Sequence, residues 1–133
     1  MSIEDNKALA HAYFGHFSEG RYEQALDMLA TDATVWVAGK PDKFVLGGVR
    51  TKAQFSEQVR GVTSAVPGGL TLRPTSMVAE GDSVVAEVDV IGVTAAGRKY
   101  DNKYVFIFQI KDARIKTLKE YLDTMHAKEA FLD

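Results

Sequence analysis

The chain has 133 residues, 46% hydrophobic and 26% charged, with sixteen Lys+Arg against eighteen Asp+Glu and a formal charge of −2. That length and composition fit one ordinary globular domain over residues 1–133 and exclude disordered, collagen-like and coiled-coil classes. A near-neutral balance without basic clusters gives no electrostatic footprint for nucleic acid or an anionic membrane. The absence of cysteine excludes disulfides, thiol nucleophiles and thiolate metal sites.

Ser2-Ile-Glu-Asp5 has the pattern of a helix start, a hydroxyl cap with a carboxylate three residues on, and Leu9, Ala12, Tyr13, Phe14 and Phe17 follow at helical spacing. Glu19-Gly20 ends this helix. A second short helix is predicted over about Tyr22 to Ala30, and Thr31-Asp32 breaks it. Ala33 to Ala38 is a strand by its β-branched and aromatic content. Residues 39–48 read as a loop with Pro41 and paired glycines. Thr51-Lys-Ala-Gln54 repeats the capping-box pattern, and Ala53, Phe55, Val59 and Val62 mark a third helix closed by Pro67-Gly-Gly.

Four strands then follow, over 70–79, 83–94, 99–110 and 115–122, joined by Glu80-Gly81-Asp82, Ala95–Arg98 and Lys111–Arg114. Helices first and a meander last predict an α+β fold, a curved antiparallel sheet wrapped on three helices as a cone. The open end of such a cone is a natural pocket for a small molecule.

Several blocks carry a resemblance. Phe17-Ser-Glu-Gly20-Arg, followed by Ala25-Leu-Asp-Met-Leu-Ala-Thr-Asp-Ala-Thr-Val35, resembles the opening of nuclear transport factor 2-like proteins. Gly97-Arg-Lys-Tyr-Asp-Asn-Lys-Tyr-Val-Phe-Ile-Phe108 and Ile115-Lys-Thr-Leu-Lys-Glu-Tyr-Leu-Asp-Thr124 are similar to the closing strands of its SnoaL-like, ketosteroid-isomerase-related branch. The resemblance spans essentially the whole chain and implies the cone fold. It leaves the reaction open, because the superfamily holds isomerases, cyclases, dehydratases, epoxide hydrolases and non-catalytic members. It implies an oxyanion-hole tyrosine at Tyr13, a catalytic base at Val37 and a second acid at about Phe106. Two of those three positions are apolar here, so steroid isomerisation by that mechanism is not expected.

The last strand is the most informative for chemistry. Alternation places Leu118, Glu120 and Leu122 on one face and Thr117, Lys119 and Tyr121 on the other. An apolar inward face then carries one carboxylate, Glu120, whose burial would raise its pKa toward neutrality and suit it to general acid–base work. Asp123, just beyond, is the rival acid, since a single bulge would exchange the two. On the preceding strand Asn102, Tyr104, Phe106, Phe108 and Ile110 form a pocket wall, with Asn102 and Tyr104 able to orient a substrate oxygen. The isomerase match implies that Val37, with Val35 on the same side, lines the wall from the first strand, and Trp36 then faces away toward an interface.

The strand after Gly81 can be read two ways. Simple patterning buries Val84, Ala86, Val88 and Val90, whereas the isomerase register turns Glu87 and Asp89 toward the pocket. In the second register Glu87 joins Glu120, and the valine set faces outward to a second copy. The second register is the expectation, with Glu87 in the pocket and a homodimer through the outer sheet face.

His11 and His16, five apart, suit a shared metal poorly, and no metal site is expected. No phosphate loop, dinucleotide fingerprint or Gly-x-Ser-x-Gly is present. No basic and apolar leader pattern or membrane-length run occurs. The expectation is a cytoplasmic, cofactor-free enzyme that moves a proton on a small apolar molecule with a carbonyl or hydroxyl group. Glu120 or Asp123 would be the acid–base group, with Tyr13, Tyr104 and Asn102 as donors. A non-catalytic ligand-binding or dimeric module is the alternative.

Overall fold

The computed structural model describes residues 2–133. Its elements run α1 (Ile3–Ser18), α2 (Tyr22–Asp27), β1 (Leu29–Val37), β2 (Gly48–Thr51), α3 (Lys52–Ser64), β3 (Thr71–Glu80), β4 (Ser83–Val93), β5 (Lys99–Lys111), β6 (Arg114–Leu122) and α4 (Thr124–Phe131). One six-stranded sheet has the order β2-β1-β6-β5-β4-β3. Only β1 and β6 are parallel; every other pair is antiparallel.

Both expected capping boxes form. The Ser2 hydroxyl accepts from the Asp5 N–H at 3.0 Å, and the Thr51 hydroxyl accepts from the Gln54 N–H at 3.2 Å. Register shifts at Leu29/Thr34, Pro74/Ser76 and Gln109/Ile110 interrupt three ladders. Bulges of this kind increase strand twist, and here they accompany the curl of the sheet around α1 and α3. On the inner face Val35, Val84, Ala86, Phe106, Phe108 and Leu118 are buried. Tyr13 and Phe14 of α1 meet this wall edge-on, with ring centroids 5.0 Å apart for Phe14–Phe106 and 5.6 Å for Tyr13–Phe108, and Phe17 packs edge-on against Tyr13 at 5.1 Å.

Four expectations need correction. The second helix stops at Asp27, because Leu29 is already paired with Ile115 across β6 and the Ile115 N–H donates to the Met28 carbonyl. Gly48–Thr51 leaves the predicted loop and forms edge strand β2 against Thr34–Val37. The helices number four among the described residues: α4 follows β6, with Ala127 and Ala130 buried. Finally, Glu87 is exposed while Val84, Ala86, Val88 and Val90 are buried, so β4 follows plain alternation and not the isomerase register. The valine set belongs to the core, and Glu87 lies outside the pocket.

The loop before β2 holds Phe44 and Leu46 over the open end of the cone, and two glycines permit its path. Gly39 has φ +116°, and a Cβ there would stand 2.8 Å from the Phe44 ring. A Cβ on Gly47 would lie 2.5 Å from the Gly39 carbonyl oxygen, a backbone atom that cannot swing aside. Gly47→Ala is therefore expected to destabilise the protein by about 1–3 kcal/mol in urea denaturation. Gly68→Ala, where a Cβ meets nothing within 4 Å, should stay within about 0.5 kcal/mol of the parent.

Candidate active site

Strand β6 delivers the chemistry. Leu118 and Glu120 are both buried on the inner face, and Glu120 is 9% exposed. Its register partners are Val37 on β1 and Phe106 on β5. The carboxyl group is thus flanked by apolar side chains and has no counter-charge. Burial alone pushes its pKa up from 4.5 to about 8, with neither a hydrogen bond nor a cation opposing the shift.

Glu120 opens into a cavity of about 100 Å³ at the wide end of the cone. Phe17, Phe55, Leu72, Val90 and Phe106 form its walls, and Phe44, Leu46, Ala127 and Phe131 surround it from the 39–47 loop and α4. No lysine, arginine or histidine is among the lining residues. Of the polar lining groups, Gln58 gives one amide N–H to the Leu46 carbonyl and keeps Oε1 and its second N–H, and the Thr63 hydroxyl donates to the Val59 carbonyl. The remaining polar side chains are Glu120 and three tyrosines, Tyr13, Tyr100 and Tyr104.

Tyr13 is 1% exposed, and its hydroxyl has no hydrogen-bond partner among the described residues. Burial drives its pKa well above 10, and the nearby Glu120 charge adds to the effect. Burial also raises Tyr104 well above 10 and Tyr100 to about 12. All three phenols therefore stay protonated as hydrogen-bond donors at physiological pH. The hydroxyls of Tyr100 and Tyr104 lie 2.6 Å apart.

The other sequence candidates separate. Val37, Tyr104 and Phe106 line the cavity with Glu120 and Tyr13, whereas Val35 and Leu118 are buried away from it. Asn102 is also outside it, 2% exposed, with Nδ2 donating to the Tyr100 hydroxyl and the Asp123 carbonyl at 3.0 Å each. The Asp123 N–H returns a bond to Asn102 Oδ1 at 3.2 Å. Asn102 is a brace behind the wall and does not touch a ligand in the cavity. Asp123 is no rival acid: its carboxylate accepts from the His126 N–H at 3.1 Å and caps α4. Asp89 faces outward, where Lys103 and Arg73 clamp it at 2.7 and 3.1 Å and hold its pKa below the usual value.

Tyr100 is the residue the sequence reading missed. It extends the same alternation, two positions before Asn102, and one more step along the wall would have included it. Among the described residues no group of three or more His, Asp or Glu is placed to hold a metal ion. Among the described residues no helix is long and apolar enough to cross a membrane.

A curved six-stranded mixed sheet closed by helices into a cone, with its cavity at the wide end, is the fold of nuclear transport factor 2-like proteins. Solved structures agree. An NTF2-like protein of unknown function from Burkholderia pseudomallei K96243 superposes with a TM-score of 0.84 at 19% identity, covering 100% of both chains. TerC, crystallised with polyporic acid, gives 0.82 at 21% identity over 97% of this chain and 99% of its own. A Xanthomonas campestris protein provisionally called a polyketide cyclase gives 0.81 at 20% identity over 97% and 98%. At such identities the likeness establishes the fold. The SnoaL-like domain model matches residues 10–118, and the chain belongs to that family. No curated protein matches the chain by sequence.

The raised pKa of Glu120 has a thermodynamic consequence. The unfolded chain ionises this group near pH 4.5 and the folded chain only near pH 8, so folding stability is lost across that window as pH rises and is flat above it. Between pH 5 and pH 8 the stability of the parent relative to Glu120→Gln should fall by on the order of 4 kcal/mol in urea denaturation. A difference that does not change with pH would mean that Glu120 is solvated.

Proposed function

We propose that this SnoaL-like protein is a cofactor-free acid–base enzyme that moves a proton on a small, neutral, largely apolar molecule, with Glu120 as the transferring group. The observation that carries this reading is a carboxyl group with no protein partner, buried in an apolar cavity and titrating near 8. A group of that pKa is roughly nine-tenths protonated at pH 7, so it can act as acid, and it becomes a strong base once ionised. Tyr13 supports the same reading as a nearby unpartnered donor for charge that develops on a substrate oxygen. Isomerisation, aldol-type cyclisation and dehydration all draw on this set of groups. The cavity favours compact substrates: an engineered apolar cavity of ~150 Å³ takes a benzene, and this one is about 100 Å³.

The experiment follows deuterium incorporation at the α-carbons of small neutral ketones in D₂O by proton NMR, with cyclopentanone first. The protein should exceed the buffer rate, with the excess rising with pH and levelling above about 8. Glu120→Gln should lower that excess by about 10²–10⁴-fold. No excess on any ketone of the series, with binding retained, would favour a ligand-binding module without turnover.

The outer sheet face fits a homodimer. Trp36 and Tyr121 pack edge-on at 5.0 Å, and exposed Val49, the register partner of Trp36 on edge strand β2, extends the apolar band. In sedimentation the protein should run as a dimer, and Tyr121→Glu should shift it to monomer without loss of folding.

A further inference from the structure

The hydrogen bonds around Tyr100 fix a donor whose target lies in the cavity. Asn102 is the starting point, because its amide orientation is determined. Oδ1 must accept from the Asp123 N–H, so Nδ2 carries the two hydrogens given to the Asp123 carbonyl and to the Tyr100 oxygen. Tyr100 therefore receives a bond from behind the wall. The Tyr100–Tyr104 contact at 2.6 Å then uses one of the two phenolic hydrogens, whichever ring supplies it.

One phenolic hydrogen is left over. If Tyr100 donates to Tyr104, the free hydrogen is on Tyr104; if the direction is reversed, it is on Tyr100. Both rings line the cavity, and neither hydroxyl has another partner among the described residues. In either arrangement a single donor is presented, held in place by a relay anchored on Asp123 at the start of α4. Tyr13 also offers a hydroxyl, but nothing braces it.

We propose that the Tyr100–Tyr104 pair, oriented by Asn102, is the subsite that reads the oxygen of a neutral carbonyl compound of about one small ring. This rests on the cavity being the ligand site, as in the function proposed above, but not on Glu120 transferring a proton. The class follows from what the cavity lacks and what it holds. Without a lysine, arginine or histidine, it gives a carboxylate or phosphate no counter-charge, and an ionised Glu120 would repel either. The one donor that the pair presents is braced, unlike the Tyr13 hydroxyl, and suits one acceptor oxygen, while the apolar walls suit the carbon skeleton. Tyr100 and Tyr104 are specificity-determining residues in this assignment, and Asn102 is a positioning residue.

The test compares two ligands of nearly equal shape, cyclopentanone and methylenecyclopentane, titrated into the full chain and followed by NMR chemical shifts. In Tyr100→Phe/Tyr104→Phe, cyclopentanone should bind about tenfold more weakly, the scale of one hydrogen bond, while methylenecyclopentane stays within twofold. The double variant is needed because either phenol alone keeps one free hydrogen. Unchanged alkene binding also certifies that the variant is folded and its cavity intact. Should the double variant fail to fold, Tyr13→Phe/Gln58→Leu/Glu120→Leu decides, because it removes the cavity's other donors: the ¹³C carbonyl resonance of cyclopentanone bound to it should still lie downfield of its position in alkane solution. A carbonyl shift equal to that in alkane, an equal loss of both ligands by a folded variant, or no binding of cyclopentanone to the parent overturns the proposal. Loss of α-proton exchange in Glu120→Gln with this binding pattern intact leaves it standing. Absence of exchange in the parent counts against the acid–base function alone.

Discussion

One carboxyl group is buried without a protein partner, and most of the functional reading depends on that. Glu120 sits on a strand whose other inward positions are Ile115, Leu118 and Leu122, between Val37 and Phe106 on the neighbouring strands. Isolated ionisation there is costly, so the group holds its proton to about pH 8. An arginine or lysine in the cavity would have reversed this, as the outer face demonstrates. Asp89, clamped by Lys103 and Arg73, has a lowered pKa and serves only to tie three strands together. The two acids differ in what surrounds them, and only one environment leaves a proton available for chemistry.

The resemblance to ketosteroid isomerases takes on a geometric meaning in this arrangement. Its base position falls on Val37 and its second acid on about Phe106, and both are apolar. Glu120 pairs in register with both residues, so the carboxyl group lies between the two vacated positions. One acid here stands in register with both apolar positions, and besides Tyr13 on α1 the wall strand β5 contributes Tyr100 and Tyr104 to the cavity. A shared fold does not by itself carry a shared reaction.

Much of this was legible in the residues, for identifiable reasons. The inward face of β6 could be read because Leu118, Glu120 and Leu122 alternate strictly against Thr117, Lys119 and Tyr121. The capping boxes at Ser2 and Thr51 could be read because they are local. Glu87 was misplaced where an imported register was preferred to the strand's own alternation, and burial of Val84, Ala86, Val88 and Val90 decided the matter. Helix α4 was missed although Asp123 followed by Ala127, Ala130 and Phe131 is a cap with a buried stripe. With it went the role of Asp123 as cap instead of acid. The hydroxyl contact between Tyr100 and Tyr104 lay beyond pattern reading, since alternation gives a face but not the distance between two side-chain tips.

Helix α4 and the 39–47 loop connect these observations. The loop reaches the cavity with Phe44 and Leu46 because Gly39 and Gly47 can approach each other so closely, and α4 reaches it with Ala127 and Phe131. The Asn102–Asp123 bonds fasten the start of α4 to the same wall that holds the tyrosine pair. The segment that helps bury Glu120 is thus tied to the tyrosines that share its cavity. A displacement of α4 that exposed the carboxyl group to solvent would lower its pKa, because burial alone raises it, and would loosen the hydrogen bonds behind Tyr100. Acid, donor and closure consequently depend on one packed corner of the fold, and the raised pKa of Glu120 is a property of that corner as much as of the residue itself.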